Sequence, residues 1–430
     1  MLANWFRQWR LGLYGGLFVV TLGLILGLGL WPAISTPPIG TASSPASQDY
    51  RRGLSAVDFV ALKENGWREE YASYFQRNIQ GKTYTPQYIQ RTLARIQRQN
   101  GSRAAVLHLF THENEFALLV STWASPPILI TQPAVTQAEM NRVMNTFRRN
   151  VSDPRTQFTK AYLSSGQTLY DWWIKPLEAQ LAKDQVDTLL FCVGPGLRSL
   201  PWAALFDGKK FLIERFNMSL IPGFDLTDVR YKSLKNSQVL AMGASEFLNF
   251  SPLPNVPAEL KTIQDLWGGP ALINQDFTVQ NLRQERQRRG YPIVHLATHA
   301  MFQPGKVNNS FIQLWQENSV RLNQLPSLNL GRPPAELLVL SACQTALGDE
   351  QAELGFAGLA LQAGVKSALG SLWQVSDQAT FELMKAFYAD LKNAPYKALA
   401  LRHAQQKLQQ NPEFQAPYYW AGFTMIGSPW

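Results

Sequence analysis

From Asp187 to the end of the chain, short apolar runs alternate with segments whose apolar residues recur every three to four positions. The runs Thr188–Val193, Val239–Gly243, Ile293–Thr298, Leu337–Ala342, Ser367–Trp373 and Gly422–Ile426 are mostly unbroken, the pattern of strands covered on both faces. Helical spacing falls between them at Pro257–Leu266, Thr278–Arg289, Leu354–Gln362, Gln378–Leu391 and Tyr396–Gln409. An α/β fold follows, with a mainly parallel sheet between two helical layers. In such sheets chemistry gathers at the carboxyl ends of the strands.

Upstream the period differs. Residues 54–98 show helical spacing, marked by Phe59, Leu62, Tyr71, Tyr74 and Phe75 and then by Tyr88 through Ile96. Ala104–Phe110 and Glu115–Thr122 are β-rich runs joined by the polar turn His112–Asn114, which predicts a hairpin. Gln137–Phe147 and Gln157–Leu181 return to helix, the second with Tyr170, Trp172 and Trp173 as a core stripe. His108 and His112 have the i, i+4 spacing of a helical metal pair, but on a strand and turn that spacing does not bring two rings together. No metal or cofactor is expected.

The amino terminus carries a different signal. Residues 11–31 are uncharged and mostly apolar, and as a helix rising ~1.5 Å per residue they span a bilayer. Arg7 and Arg10 precede the run, whereas residues 32–50 hold no Lys or Arg, which predicts a cytoplasmic amino terminus and an extracytoplasmic remainder. The alternative is a secreted protein whose signal is cleaved near Ala33-Ile34-Ser35. Gly12/Gly16 and Gly23/Gly27 have the spacing that lets two membrane helices pair, a route to a homodimer. Residues 32–54, rich in Pro, Ser and Ala, read as a flexible linker.

The expected organisation is therefore a membrane anchor at 1–31, the linker at 32–54, a helical and hairpin region at 55–186 and an α/β domain at 187–430. With 430 residues, 46% of them hydrophobic and 17% charged, the chain is long enough for a large core. Its surplus of Lys and Arg over Asp and Glu, 40 against 31, is spread thinly. The basic stretch 283–289 reads as a solvated helix face, so no nucleic-acid partner is expected. Two cysteines and five histidines cannot furnish a disulfide framework or a zinc ribbon.

Two strand ends stand apart. Pro292-Ile-Val-His-Leu-Ala-Thr-His299 ends in an imidazole and Leu337-Leu-Val-Leu-Ser-Ala-Cys343 in a thiol. If these strands are parallel neighbours, both groups emerge at one rim, where an imidazole can raise the thiolate fraction and protonate a departing amine. Cys192, inside an apolar run, reads as a buried small hydrophobe, and His295 as a hydrogen-bonded core residue.

The motifs His295-Leu-Ala-Thr-His299, Leu340-Ser-Ala-Cys343-Gln-Thr, Glu353-Leu-Gly-Phe-Ala-Gly-Leu-Ala, Ser371-Leu-Trp-Gln-Val and Tyr418-Tyr-Trp-Ala-Gly-Phe, in this order, strongly resemble the CHAT domain, a relative of the caspase and separase cysteine peptidases. Val193-Gly-Pro-Gly-Leu-Arg-Ser-Leu-Pro-Trp-Ala-Ala-Leu and Leu253-Pro-Asn-Val-Pro-Ala-Glu259 extend the likeness upstream. The resemblance implies a caspase-like three-layer sandwich acting on a protein or peptide substrate. Cys343 would be the nucleophile and His299 the general acid/base, and the backbone N–H groups of Ala300 and Cys343 would hold the oxyanion. Many relatives have Gly where this chain has Ala300. A pocket for a basic P1 side chain would draw on Asp377, with Glu353 and Asp349 behind it; Asp377 also suits an N-cap. The helical repeats that often precede this domain are not found. The expectation is a membrane-tethered cysteine endopeptidase; the alternative is an inactive, anchored interaction module, and hydrolysis of a non-peptide acyl group by the same dyad stays open.

Overall fold

The computed structural model describes residues 56–112, 115–133, 135–316 and 318–430. The expected membrane segment 11–31 and linker 32–54 lie outside the described residues. Among the described residues, no helix is long and apolar enough to cross a membrane.

Helices α1 (Ala56–Phe75) and α2 (Pro86–Asn100) are the first described elements. The start of α2 is set by Thr85, whose side chain accepts from the Tyr88 N–H, with Pro86 in the first turn; it ends at Gly101 in the left-handed region, φ 84°. Strands β1 (Ala104–His112), β2 (Glu115–Thr122) and β3 (Ile128–Pro133) follow. The expected hairpin is present, with Ala105 opposite Thr122 and His112 opposite Glu115. After α3 (Gln137–Ser152) the long helix expected over 157–181 is broken. α4 (Tyr162–Trp173) gives way to a tight turn, Lys175–Leu177, before α5 (Glu178–Lys183). Pro176 supplies no N–H to a continuing helix, which accounts for the break.

The second half holds β4 (Thr188–Val193), β5 (Asn217–Ile221), β6 (Val239–Gly243), α6 (Val256–Trp267), β7 (Ala271–Ile273), α7 (Val279–Arg289) and β8 (Ile293–Phe302). Then come β9 (Phe311–Gln313), β10 (Ser319–Arg321), β11 (Leu337–Thr345), α8 (Glu350–Ala357), α9 (Leu359–Ala363), β12 (Ser367–Ser371), α10 (Asp377–Leu391), α11 (Lys397–Gln410), α12 (Pro417–Trp420) and β13 (Phe423–Gly427). The helix expected over 354–362 is two, parted at Gly358. A Cβ at Gly358 would stand 2.6 Å from the Phe75 ring, so α1 closes directly on this backbone.

The described strands form a single mixed sheet in the order β10-β9-β8-β11-β12-β13-β5-β4-β1-β2-β3, with β6 flanking the start of β8 and β7 outside it. Its centre is parallel: β6, β8, β11 and β12 run together, as do β13, β5, β4 and β1. The hairpin strands β2 and β3 extend this sheet through β1. Along β4, Leu189, Phe191 and Val193 enter one core, while Leu190 and Cys192 enter another shared with Phe59, Ile89 and Leu93 of α1 and α2. That is the burial on both faces expected of an unbroken apolar run. Tyr170 and Trp173 are core residues, and Trp172 is half-buried against them. One detail of α7 departs from a solvated face: Arg286 is buried and donates to the carbonyls of Tyr291, Leu330 and Pro333.

Candidate active site

Strands β8 and β11 are parallel neighbours, so His299 and Cys343 do reach the same end of the sheet. Their register is not uniform. Leu340 pairs with Leu296, but Ala342 pairs with His299, two residues of advance on β11 against three on β8. Without the slip Cys343 would face His299; with it, Cys343 pairs with Ala300. A one-residue slip turns a side chain to the other face of a sheet.

The surroundings of the two groups follow. His299 lies on the side of α6 and α10. It is 5% exposed, its Nε2 is 2.9 Å from the Ser251 carbonyl, and it is flanked by Phe250, nearly parallel at 5.1 Å, and Phe247, edge-on at 4.8 Å. A carbonyl can only accept, so Nε2 carries the proton and Nδ1 is the basic nitrogen. Burial holds the imidazole below its ordinary pKa, opposed by the Ser251 carbonyl and the charge of Asp377. His295, four residues back on β8, lies 2.7 Å from the Glu259 carboxylate on α6 and 3.1 Å from the Tyr388 hydroxyl on α10, as a core histidine should.

Cys343 lies on the opposite side, under α8. It is fully buried, with Sγ 3.4 Å from the Leu340 carbonyl and 3.3 Å from where a Cβ on Gly370 would stand; Phe356 of α8 packs over the same spot. Burial pushes the thiol up to about 12, and the Ser371 N–H opposes this only in part. No hydrogen bond joins Cys343 to His299 among the described residues. Ala300 is buried and strand-paired on both sides, with Cys343 and Ile312.

The three acids expected around a P1 pocket are dispersed. Asp377, in the first turn of α10, accepts from the backbone N–H and side-chain amide of Asn255, both at 2.8 Å, and is near enough to act on His299. The N-cap of α10 is the preceding residue, Ser376, whose side chain accepts from the Ala379 N–H. Asp349 is the N-cap of α8, accepting from Gln351 and Ala352. Glu353 is fully buried, with its carboxylate taken by Arg148, the Ser199 hydroxyl and the Gly196 N–H. Its place is in a lock between α3, α8 and the 194–199 loop, away from His299. Sequence reasoning missed the Phe247–Ser251 loop that clasps His299; its signal was the Phe-Leu-Asn-Phe run shortly after a strand end.

A family model described as the CHAT domain matches residues 163–428. The chain belongs to the CHAT domain family. Among curated relatives, this CHAT chain is 24% identical over 357 residues to tetratricopeptide repeat protein 28 of Homo sapiens, covering 69% of the chain and 14% of the relative. It is 37% identical over 100 residues to the Mus musculus protein of the same name, covering 23% of the chain and 4% of that relative. The CHAT chain thus spans a small part of each. Among solved structures it superposes on the Saccharomyces cerevisiae separase of a separase–securin complex with a TM-score of 0.55 at 10% identity, over 86% of this chain and 33% of the other. At that identity the match carries the fold alone: the CHAT chain shares the fold of that separase chain.

Proposed function

We propose that this protein is a cysteine peptidase whose nucleophile, Cys343, is sealed in the state described and is brought to His299 by a one-residue shift of the strand end. The observation that carries the proposal is the register: Cys343 stands one position from the partner of His299 on an adjacent parallel strand. Family membership and the separase-like fold support it. In the engaged state, Nδ1 of His299 takes the thiol proton, the thiolate adds to the peptide carbonyl, the C–N bond breaks as the imidazolium protonates the leaving amine, and water activated by His299 then hydrolyses the thioester and restores the thiol. The N–H groups of Ala300 and Cys343 are the proposed oxyanion donors, and Asp377 is the proposed receptor for a basic P1 side chain. Residues 11–31 are the proposed tether, which would confine hydrolysis to extracytoplasmic proteins at one membrane surface.

The test uses the full chain in detergent and a fluorogenic peptide library with basic and neutral P1 residues. Cleavage is expected from wild type after strand-end opening and is lost in Cys343→Ala and in His299→Ala. Cleavage retained in Cys343→Ala would sink the assignment.

The sealing of Cys343 on the face opposite His299 favours a second reading, a non-catalytic interaction module. A partner captured equally by wild type and Cys343→Ala, with no cleavage from either, would select it.

A further inference from the structure

A second cluster of potential ligands lies well away from His299, where α1 meets the sheet. His108 on β1 and Cys192 on β4 are direct partners in the parallel ladder, so their side chains share a face. Across that pair α1 lays Glu64. All three are buried, at 0%, 0% and 1% exposure, and one ligand atom from each lies within 4.8 Å of the others. His108 Nε2 is 3.2 Å from Glu64 Oε1, which also accepts from the Phe224 N–H at 2.8 Å. The Trp67 ring lies parallel to the imidazole, 6.2 Å away.

Two polar atoms here are unpartnered: Glu64 Oε2 and His108 Nδ1 make no hydrogen bond. Leaving such groups buried and unsatisfied costs about 1–3 kcal/mol each, so a purely structural role accounts poorly for them. We propose that Glu64, His108 and Cys192 form a binding site for a zinc-type divalent ion.

The donor chemistry selects the ion. A thiolate with an imidazole suits zinc and its neighbours, whereas calcium and magnesium take oxygen ligands. With metal–ligand bonds of about 2.0–2.3 Å, tetrahedral ligands stand roughly 3.3–3.6 Å apart. The nitrogen–oxygen spacing is already there, and the sulfur has at most about 1.5 Å to close. Charge also balances. The ion displaces the thiol proton to solvent, so that +2 on the metal meets −1 on the sulfur and −1 on the carboxylate. Three protein ligands leave one coordination position, which water can fill. Because the site is sealed, the ion enters as the chain folds. Once in place it would pin α1 to the sheet, and the far end of α1 packs on α8, the helix that covers Cys343.

The test is metal content and spectroscopy of the full chain produced in zinc-supplemented medium and purified in detergent without chelator. About one zinc per chain is expected in wild type and in Cys343→Ser. Loss of a direct ligand should do at least what loss of a supporting residue does at known sites, so zinc should fall at least about tenfold in Cys192→Ser and His108→Gln. Protein produced with cobalt should show thiolate-to-metal charge-transfer absorption, a readout that needs no variant to fold. Metal-free wild type with unchanged thermal stability, zinc retained by Cys192→Ser, or a cobalt form without the thiolate band would each overturn the site.

Discussion

The sealed thiol makes a quantitative prediction. With its pKa pushed up to about 12, against about 8.5 for a free cysteine, Cys343 at about pH 7.5 should be thiolate in about 3 molecules in 100,000 rather than about 9 in 100. Alkylation, which needs the thiolate, should slow by about 3,000-fold from ionisation alone, and the Phe356 and Gly370 contacts should slow it further. The assay is timed iodoacetamide labelling of native full-length protein, with peptide mass spectrometry to separate Cys343 from Cys192. A sample unfolded in denaturant sets the full rate. Native labelling should be barely measurable, and raising the pH should speed it by about tenfold per unit well beyond the range in which a free thiol saturates. If Cys343 in the untreated native protein reacts within about tenfold of the unfolded rate, the thiol is not sealed, and the proposed latent state has no basis.

Other outcomes follow from single contacts. Gly370→Ala places a methyl 3.3 Å from both Cys343 Sγ and the Phe356 ring; urea unfolding should show a loss of about 1–3 kcal/mol, with faster labelling of Cys343. Glu353→Ala leaves Arg148 buried without its carboxylate and should cost about 3–5 kcal/mol, moderated by the bond Arg148 keeps to the Gly196 carbonyl. His299 titrates below its ordinary value of 6.5 in the folded state, so the unfolded chain binds the proton more readily. The contribution of this group is fully present above about pH 6.5 and is lost as the pH falls toward the depressed value. Compared with His299→Gln, wild type should lose stability more steeply in that window. For the opened enzyme, Asp377→Asn should raise KM for substrates with Arg or Lys at P1 and leave those with neutral P1 residues little changed.

The elements legible in the sequence are those with a strong local pattern. The unbroken apolar runs at 188–193, 239–243, 293–298 and 337–342 are strands because only a doubly covered sheet buries such a run. β9 and β10 were not legible, since three residues carry no period and their pairing depends on β8. The candidate site was legible as two residue types at two strand ends, and the structure bears out the expected parallel pairing of those strands. The register slip was not. It arises where Leu340 and Ala342 meet a neighbour that advances by an extra residue, and no residue in His-Leu-Ala-Thr-His or Leu-Ser-Ala-Cys announces it. Nor does spacing expose the Glu64, His108 and Cys192 cluster: its members come from three elements, and only the tertiary packing of α1 across β1 and β4 brings them together.

The one-residue slip bears on how inhibitors would be sought. If the proposed latent peptidase is correct, a library of electrophiles screened against resting protein would score Cys343 as inert and discard compounds that fit the proposed opened cleft. On that proposal, a compound that stabilises the sealed frame would need no warhead at all, because it would keep Cys343 away from His299.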